Sequence, residues 1–264
     1  MADGHLKWVK SKVKKAILHY GMLQDGDRVA VGLSGGKDSM ALLHLLHLIR
    51  REIPVDYMLH GIYINPGWPA EIEVMDNFCR DRGIPFLNKI TNIGEVVFEC
   101  HKGNNPCSLC ANLRRGAINN TARDLGLNKL ALGHHLDDVV ETFLMSLLFT
   151  GQFKTFSPVT YMDRSGITLI RPLIYLTEKT IATFVQRQMI PLVKSRCPAN
   201  GQTKREEMKE LLLLLEERYP DLRAKFLTAL QTQDLKNMWP PVACRNMRAL
   251  HTRQTVDNPG PKEE

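Results

Sequence analysis

The sequence predicts an α/β protein built on a doubly wound, mainly parallel five-stranded sheet, with an N-terminal helix and a small C-terminal helical appendage. Three observations carry this expectation. Short β-branched runs alternate with amphipathic helical stretches from residue 28 to about residue 188, the pattern of successive strand–helix units. The first run breaks on glycines directly into a helix, and in doubly wound sheets ligands bind at such carboxyl ends of strands. Past Pro191 strand-like runs give way to two helical stretches, which ends the sheet domain.

In order along the chain, His5 to Tyr20 carries Leu6, Val9, Val13, Ile17 and Leu18 at helical spacing, with Gly21 as its stop. Arg28 to Leu33 is a buried strand, Ser34 to Ser39 a glycine-rich turn, and Met40 to Ile49 an apolar helix. Val55 to Ile64 is a second strand. Ala70 to Arg82 is a helix with Ile72, Met75, Phe78 and Cys79 on one side, and Ile84 to Ile90 a third strand. A long connection over 91–106 leads to a helix from about Ser108 to Leu125. Lys129 to Leu132, the helix Val139 to Phe149, the strand Thr168 to Leu173 and a Thr177-capped helix to Gln188 complete the sheet domain. Lys204 to Arg218 and Asp221 to Gln231 are the appended helices. The expected units are a basic helix over 1–22, the α/β domain over 23–195, the appendage over 196–239 and a polar tail over 240–264.

A chain of 264 residues, 44% hydrophobic and 24% charged, has the composition of a soluble protein with a sizeable core. No apolar run approaches the ~20 residues that span a bilayer, and the first residues lack the apolar centre of a secretory signal. A cytoplasmic location and no membrane partner are therefore expected. In that compartment the six cysteines are metal ligands or reactive thiols rather than disulfides. The net charge is +7, and Lys7, Lys10, Lys12, Lys14 and Lys15 face a single Asp3 in the first helix. The cluster suits a phosphate backbone, although a solvated helix face explains it nearly as well.

Ser34-Gly35-Gly36-Lys37-Asp38-Ser39 ends a strand and opens a helix, so its backbone N–H groups can hold an anion. It is not a Walker A loop. Val31 stands where that motif requires its first glycine, and Asp38 follows the lysine. An acid beside phosphates makes sense when Mg²⁺ intervenes or pyrophosphate departs. The bland alternative is a glycine turn with Asp38 as helix cap.

Cys107-Ser108-Leu109-Cys110 puts two thiols within reach of one metal, and no second C-x-x-C pair exists to complete a four-cysteine zinc site. Cys79 reads as core and Cys244 as part of the tail. Cys197, in a loop where the sheet domain ends, is the favoured third ligand ahead of Cys100. Three thiolates on a cubane iron–sulfur cluster would leave one iron open. A zinc knot completed by His101, His134 or Cys100 is the alternative. Gly133-His134-His135-Leu136-Asp137-Asp138 follows the fourth strand. Asp137 and Asp138 are placed to carry Mg²⁺ or act as a base, and Gly133 to let the backbone approach adenine or ribose; helix capping is the plainer explanation. Arg114 and Arg115 could pair with ATP phosphates or RNA, or be ordinary surface arginines.

Together these blocks resemble the PP-loop ATP pyrophosphatase superfamily, whose S-G-G-x-D-S signature matches Ser34 to Ser39. Within it the chain resembles the tRNA-cytidine(32) 2-sulfurtransferases, through Leu33 to Ser39, Cys107 to Cys110 with Leu113-Arg114-Arg115-Gly116, Ala131 to Asp138, and Ile170-Arg171-Pro172-Leu173. The likeness covers about residues 15–235. It implies an adenine nucleotide alpha hydrolase-like fold and ATP-dependent thiolation of tRNA, with adenylation of the cytidine 2-oxygen and release of pyrophosphate and AMP. It implies ATP held by Gly32, Leu33, Ser34, Gly35, Gly36, Lys37, Asp38, Ser39, His60 and Gly133. Asp38, Asp137, Asp138 and Arg114 would be catalytic, and Mg²⁺ would accompany ATP. A 4Fe-4S cluster would sit on Cys107, Cys110 and Cys197. Sulfide would come from a cysteine desulfurase or another source, and a homodimer is expected. Family members often carry C-x-x-C at the third ligand, whereas here Cys197 is followed by Pro198-Ala199-Asn200. A uridine-thiolating group carries terminal C-x-x-C zinc fingers that this chain lacks. Alternative readings are thiolation of another nucleoside or a small molecule, and a nucleotide-binding RNA-binding module with structural zinc.

Overall fold

The computed structural model describes residues 2–100, 106–194, 197 and 204–232. Cys244 and the tail from Pro240 fall outside them, as do His101 and the side chain of Cys100. The elements are α1 (Ala2–His19), β1 (Asp27–Leu33), α2 (Lys37–Ile49), β2 (Tyr57–Asn65), α3 (Ile72–Arg80) and β3 (Phe86–Ile90). There follow α4 (Ile93–Glu95), a π-helical stretch (Val96–Cys100), α5 (Pro106–Asp124), β4 (Lys129–Ala131), α6 (Leu136–Thr150), β5 (Val159–Met162), β6 (Ile167–Ile170), α7 (Glu178–Arg187), α8 (Lys204–Arg218) and α9 (Leu222–Gln231). The chain divides into two compact units, Met1–Ala224 and Lys225–Glu264; the described part of the second is the end of α9 and Thr232.

Among the described residues the sheet has six strands, in the order β3-β2-β1-β4-β6-β5. All neighbours are parallel except β5, which runs antiparallel to β6 with Val159 opposite Ile170 and Met162 opposite Ile167. The α/β, mainly parallel expectation holds, and the count of five is corrected to six. The missed strand is four residues long, partly exposed and on the sheet edge, so it lacks the continuous apolar run that marks a buried parallel strand. The long connection after β3 also carries regular structure, in α4 and the π-helical stretch.

The strand order has a physical consequence for ligand binding. From β1 the chain crosses to β2 and β3 on one side, and β4 and β6 lie on the other. The carboxyl ends of β1 and β4 therefore flank the point where strand order reverses, where a doubly wound sheet opens a crevice. Register is pinned at the opposite end. Lys129 Nζ stands 3.0 Å from Asp27 Oδ2 and donates to Met22 O at 2.8 Å, while Asn128 Nδ2 donates to Asp27 Oδ1 at 2.8 Å. This ion pair is almost fully buried, so its additional hydrogen bonds are what make it tolerable. One sheet face buries Ala30, Ile62, Ile64, Leu130 and Leu169 against Ile118 and Ala122 of α5. On α2 nearly every apolar residue is buried, including Met40, Leu42, Leu43, Leu45 and Leu46. Such a wholly apolar helix is packed on more than one side. No helix among the described residues is long and apolar enough to cross a membrane.

Candidate active site

The turn after β1 is held by its own hydroxyls. Ser34 N–H donates to Ser39 Oγ at 3.1 Å, Gly36 N–H to Ser34 Oγ at 3.3 Å, and Ser39 Oγ to Gly36 O at 3.0 Å. Gly35 has φ +76°, and a Cβ there would stand 2.7 Å from Val193 Cβ. Val193 N–H donates to Gly35 O at 2.9 Å, tying the loop to the segment that leads to Cys197. Helix α2 starts at Lys37 with Gly36 as N-cap and no side-chain cap. The first-turn N–H groups are thus left to a ligand, and Asp38 sits inside the helix rather than capping it.

Lys37 Nζ donates to Glu178 Oε1 at 2.7 Å and to Asp38 Oδ2 at 3.1 Å. Burial disfavours the Lys37 charge, but the Glu178 and Asp38 partners outweigh it and raise its pKa. Asp38 Oδ1 is buried without a hydrogen bond among the described residues and lies 3.7 Å from His135 Nε2. Glu178 follows the Thr177 cap of α7, at the carboxyl end of β6; that position in a doubly wound sheet is the signal by which it could have been found.

The loop after β4 packs directly on this turn. A Cβ on Gly133 would stand 3.0 Å from the backbone carbon of Asp38 and 3.1 Å from Ser39 N. The close approach that Gly133 permits is thus to the first turn of α2. His135 caps α6, and its N–H donates to Asp138 Oδ2 at 3.0 Å. Asp138 Oδ1 accepts from Arg205 Nη1 of α8 at 2.7 Å, and the same nitrogen reaches Glu141 at 3.1 Å. Asp137 accepts the Glu178 N–H at 2.7 Å and pairs with Arg223 Nε at 2.6 Å. Burial opposes the Asp137 charge, yet His135, the Glu178 amide and Arg223 hold the carboxyl down at about 2. Burial also works against His135 protonation, and contact with Asp137 plus the Asp138 and Asp38 charges overcome it and raise the pKa. Glu141 is pushed up to about 7 by burial against the pull of Arg205. His134 is held near 4 by burial, with Arg171 and Arg205 adding to the effect against Asp138.

Two cavities open at the carboxyl ends of β1 and β4. One, of about 270 Å³, is walled by Gly32, Leu33, Ile64, Ile118, Leu130 and Leu132, with His134 beside them. The other, of about 230 Å³, is bordered by Gly36, Tyr63, Trp68, Val193, Cys110 and Cys197. Ser34 and Arg114 line both. Arg115 lines only the first.

Cys107 and Cys110 lie in the first two turns of α5, Cys107 exposed and Cys110 half-buried. Burial pushes the Cys110 thiol up; Arg114 opposes this, and the neighbouring Cys197 and Cys107 charges add to it. None of these three is in a disulfide. No three His, Cys, Asp or Glu side chains among the described residues close around a point as a single ion requires. Three thiols, two of them on one cavity wall, fit in donor type the thiolate shell of a multi-iron cluster. Cys79 is a core thiol, buried on α3 and pushed up to about 12.

His60 is not brought to this site. It lies mid-strand opposite Ala30, on the face shared with Ile62 and Ile64. Burial and then Arg28 lower its pKa, and Arg28 hydrogen-bonds to Leu125 at the far end of α5. The arginines that meet Asp137 and Asp138 were not legible as site residues, because they come from helices distant in sequence.

Comparison with known proteins follows the same lines. A family model of the PP-loop domain matches residues 7–213. The tRNA-cytidine(32) 2-sulfurtransferase of Geobacter sulfurreducens is 40% identical over 228 residues, 85% of this chain and 89% of that protein. That of Pelobacter propionicus is 41% identical over 226 residues, 84% of each. Among solved structures, the U34-tRNA thiolase NcsA from Methanococcus maripaludis with its 4Fe-4S cluster superposes with a TM-score of 0.71 at 27% identity, covering 88% of this chain and 79% of that one.

Proposed function

The chain belongs to the PP-loop domain family, in the branch of the tRNA-cytidine(32) 2-sulfurtransferases, and on that premise we propose that it uses ATP to replace the 2-oxygen of cytidine 32 in tRNA with sulfur. The observation that carries the reading is that Ser34 and Arg114 border both cavities. A nucleotide in the first cavity and thiol-bound sulfur chemistry in the second would then share one wall.

The apolar side chains Leu33, Ile64, Ile118, Leu130 and Leu132 suit an adenine ring, and His134, neutral above about pH 4, offers it a polar edge. The uncapped first turn of α2 and Lys37 would hold the phosphates, with Glu178 fixing the lysine ammonium. Among the described residues Asp38 Oδ1 is a buried carboxylate oxygen without a hydrogen bond, so it is the first candidate to meet ATP-bound Mg²⁺. Asp137 and Asp138 have arginine and backbone partners, and they would shape the site through His135 and α7. The cytidine 2-oxygen attacks the α-phosphorus, and pyrophosphate leaves. Sulfide then adds to C2, and AMP departs with the former oxygen. Arg114, which lines both cavities, would balance charge on the adenylate.

Cys107, Cys110 and Cys197 would hold the 4Fe-4S cluster, which when bound supplies an open iron position for sulfide. A cysteine desulfurase or another sulfide source feeds it, in the cytoplasm. The exposed Leu147, Leu148 and Phe149 of α6, with Leu213 and Leu214 of α8, offer apolar surface for the expected homodimer.

Cys107→Ala, Cys110→Ala and Cys197→Ala are each expected to abolish thiolation, read by nucleoside mass spectrometry, while ATP binding by calorimetry persists. Thiolation retained by all three variants would sink the cluster assignment. One zinc and no iron after anaerobic purification would favour a structural-metal module instead.

A further inference from the structure

We propose that one stripe of α1, formed by Trp8, Lys12, Lys15 and His19 and continued by Tyr175, is a docking surface for the tRNA substrate; this rests on the tRNA-thiolating reading above.

The structure divides the basic N-terminal cluster into two faces. Lys10 and Lys14 both pair with Glu52, Lys14 at 3.0 Å, so an internal carboxylate already neutralises much of their charge. Trp8, Lys12, Lys15 and His19 are spaced by four, three and four residues. At about 100° per residue they fall within about 60° of arc, while Lys10 and Lys14 lie on the far side of the buried Val9, Val13 and Ala16. No carboxylate pairs with Lys12 or Lys15 among the ion pairs of the described residues. Their ammonium groups sit over aromatic rings instead. Lys12 Nζ is 5.4 Å from the Trp8 centroid, and Lys15 Nζ is 6.0 Å from that of Tyr175.

Trp8 is 46% exposed. His19 Nδ1 lies 2.6 Å from Tyr175 Oη, and the His19 ring stacks on Tyr20 at 4.6 Å. Positive charge interleaved with rings suits a polyanion that also carries flat bases, since lysines meet phosphates and rings stack on unpaired bases. An acidic protein would use the charge and leave the tryptophan unexplained. The position also fits the reaction. The stripe extends about 16 Å along α1 and ends at Tyr175, three residues before Glu178, which holds the PP-loop Lys37. Three residues span at most about 11 Å of chain.

The test uses the full chain and an unmodified tRNA transcript, with anisotropy over a salt series and steady-state thiolation. Lys12→Ala/Lys15→Ala is expected to weaken tRNA binding at least about tenfold and to reduce the salt slope by about 2. Trp8→Ala should weaken binding about tenfold with the slope unchanged. Lys10→Ala should leave affinity, salt slope and KM for tRNA near wild type. In all variants ATP affinity and kcat at saturating tRNA should hold, and KM for tRNA should rise only in the Trp8 and Lys12/Lys15 variants. Wild-type protein that thiolates tRNA while the double variant binds it equally well overturns the stripe alone. Wild-type protein that neither binds nor thiolates tRNA overturns the stripe and the reading beneath it. Intact tRNA affinity with lost response to a cysteine desulfurase also overturns it, and reassigns the surface to a protein partner.

Discussion

Gly35 is a position in the glycine turn that has no room for a side chain. Its φ of +76° is a left-handed conformation, and any Cβ meets Val193 at 2.7 Å. Gly35→Ala should cost about 1–2 kcal/mol from the backbone alone, and displacing Val193 disturbs the segment carrying Cys197. Urea denaturation should register the lower stability, and calorimetry a weaker affinity for ATP. Asp137 gives a second prediction at this scale. Its folded carboxyl, near 2, binds protons less readily than the unfolded one near 3.9. The stability it contributes is therefore complete above about pH 4 and lost as pH falls toward 2, a change of about 2 kcal/mol. Asp137→Asn should flatten that acid limb in denaturation curves between pH 4 and 2; an unchanged limb would show that the Arg223 and Glu178 contacts do not hold the charge.

At the scale of elements, α7 joins a cap to the nucleotide site. Thr177 Oγ1 accepts the Thr180 N–H at 3.3 Å, and the next residue, Glu178, contacts both Lys37 and Asp137. Thr177→Ala should lower stability by about 1 kcal/mol and, by loosening Glu178, raise KM for ATP more than it changes kcat. An unaltered KM would separate the cap from the site. This helix was legible in the sequence, cap included, because Thr177 precedes an amphipathic run with an acid in its first turn. The glycine turn after β1, the acidic turn after β4 and the C-x-x-C at the start of α5 were legible for the same reason: each combines a local motif with the end of a periodic segment. Edge strand β5 was not, since short exposed strands lack a burial pattern. Nor were the partners of the motifs. Lys37 and Glu178 are 141 residues apart, and Arg205 and Asp138 are 67 apart; local periodicity carries no record of which charged side chains a fold will bring together. For Gly133 the expected neighbour is adenine or ribose, whereas the close approach that the fold creates is to the backbone of α2, which only the sheet topology reveals.

At the scale of the whole molecule, strand order decides what can react with what. Because β1 lies between β2 and β4, the glycine turn faces both the acidic turn and the start of α5, which carries Arg114 and the two clustered thiols. The two cavities meet at Ser34 and Arg114. On the proposed reading, activation of an oxygen by ATP and its replacement by sulfur would be neighbouring events on one surface, and the adenylated base would not need to leave the site between them. The most direct measurement is an anaerobic reaction of the iron–sulfur-reconstituted protein with ATP-Mg²⁺, sulfide and unmodified tRNA, quantifying AMP and mapping thiolated nucleosides by mass spectrometry. The account predicts 2-thiocytidine at position 32, formed in step with AMP. AMP release without thiolated cytidine, or sulfur placed on a uridine, would contradict it.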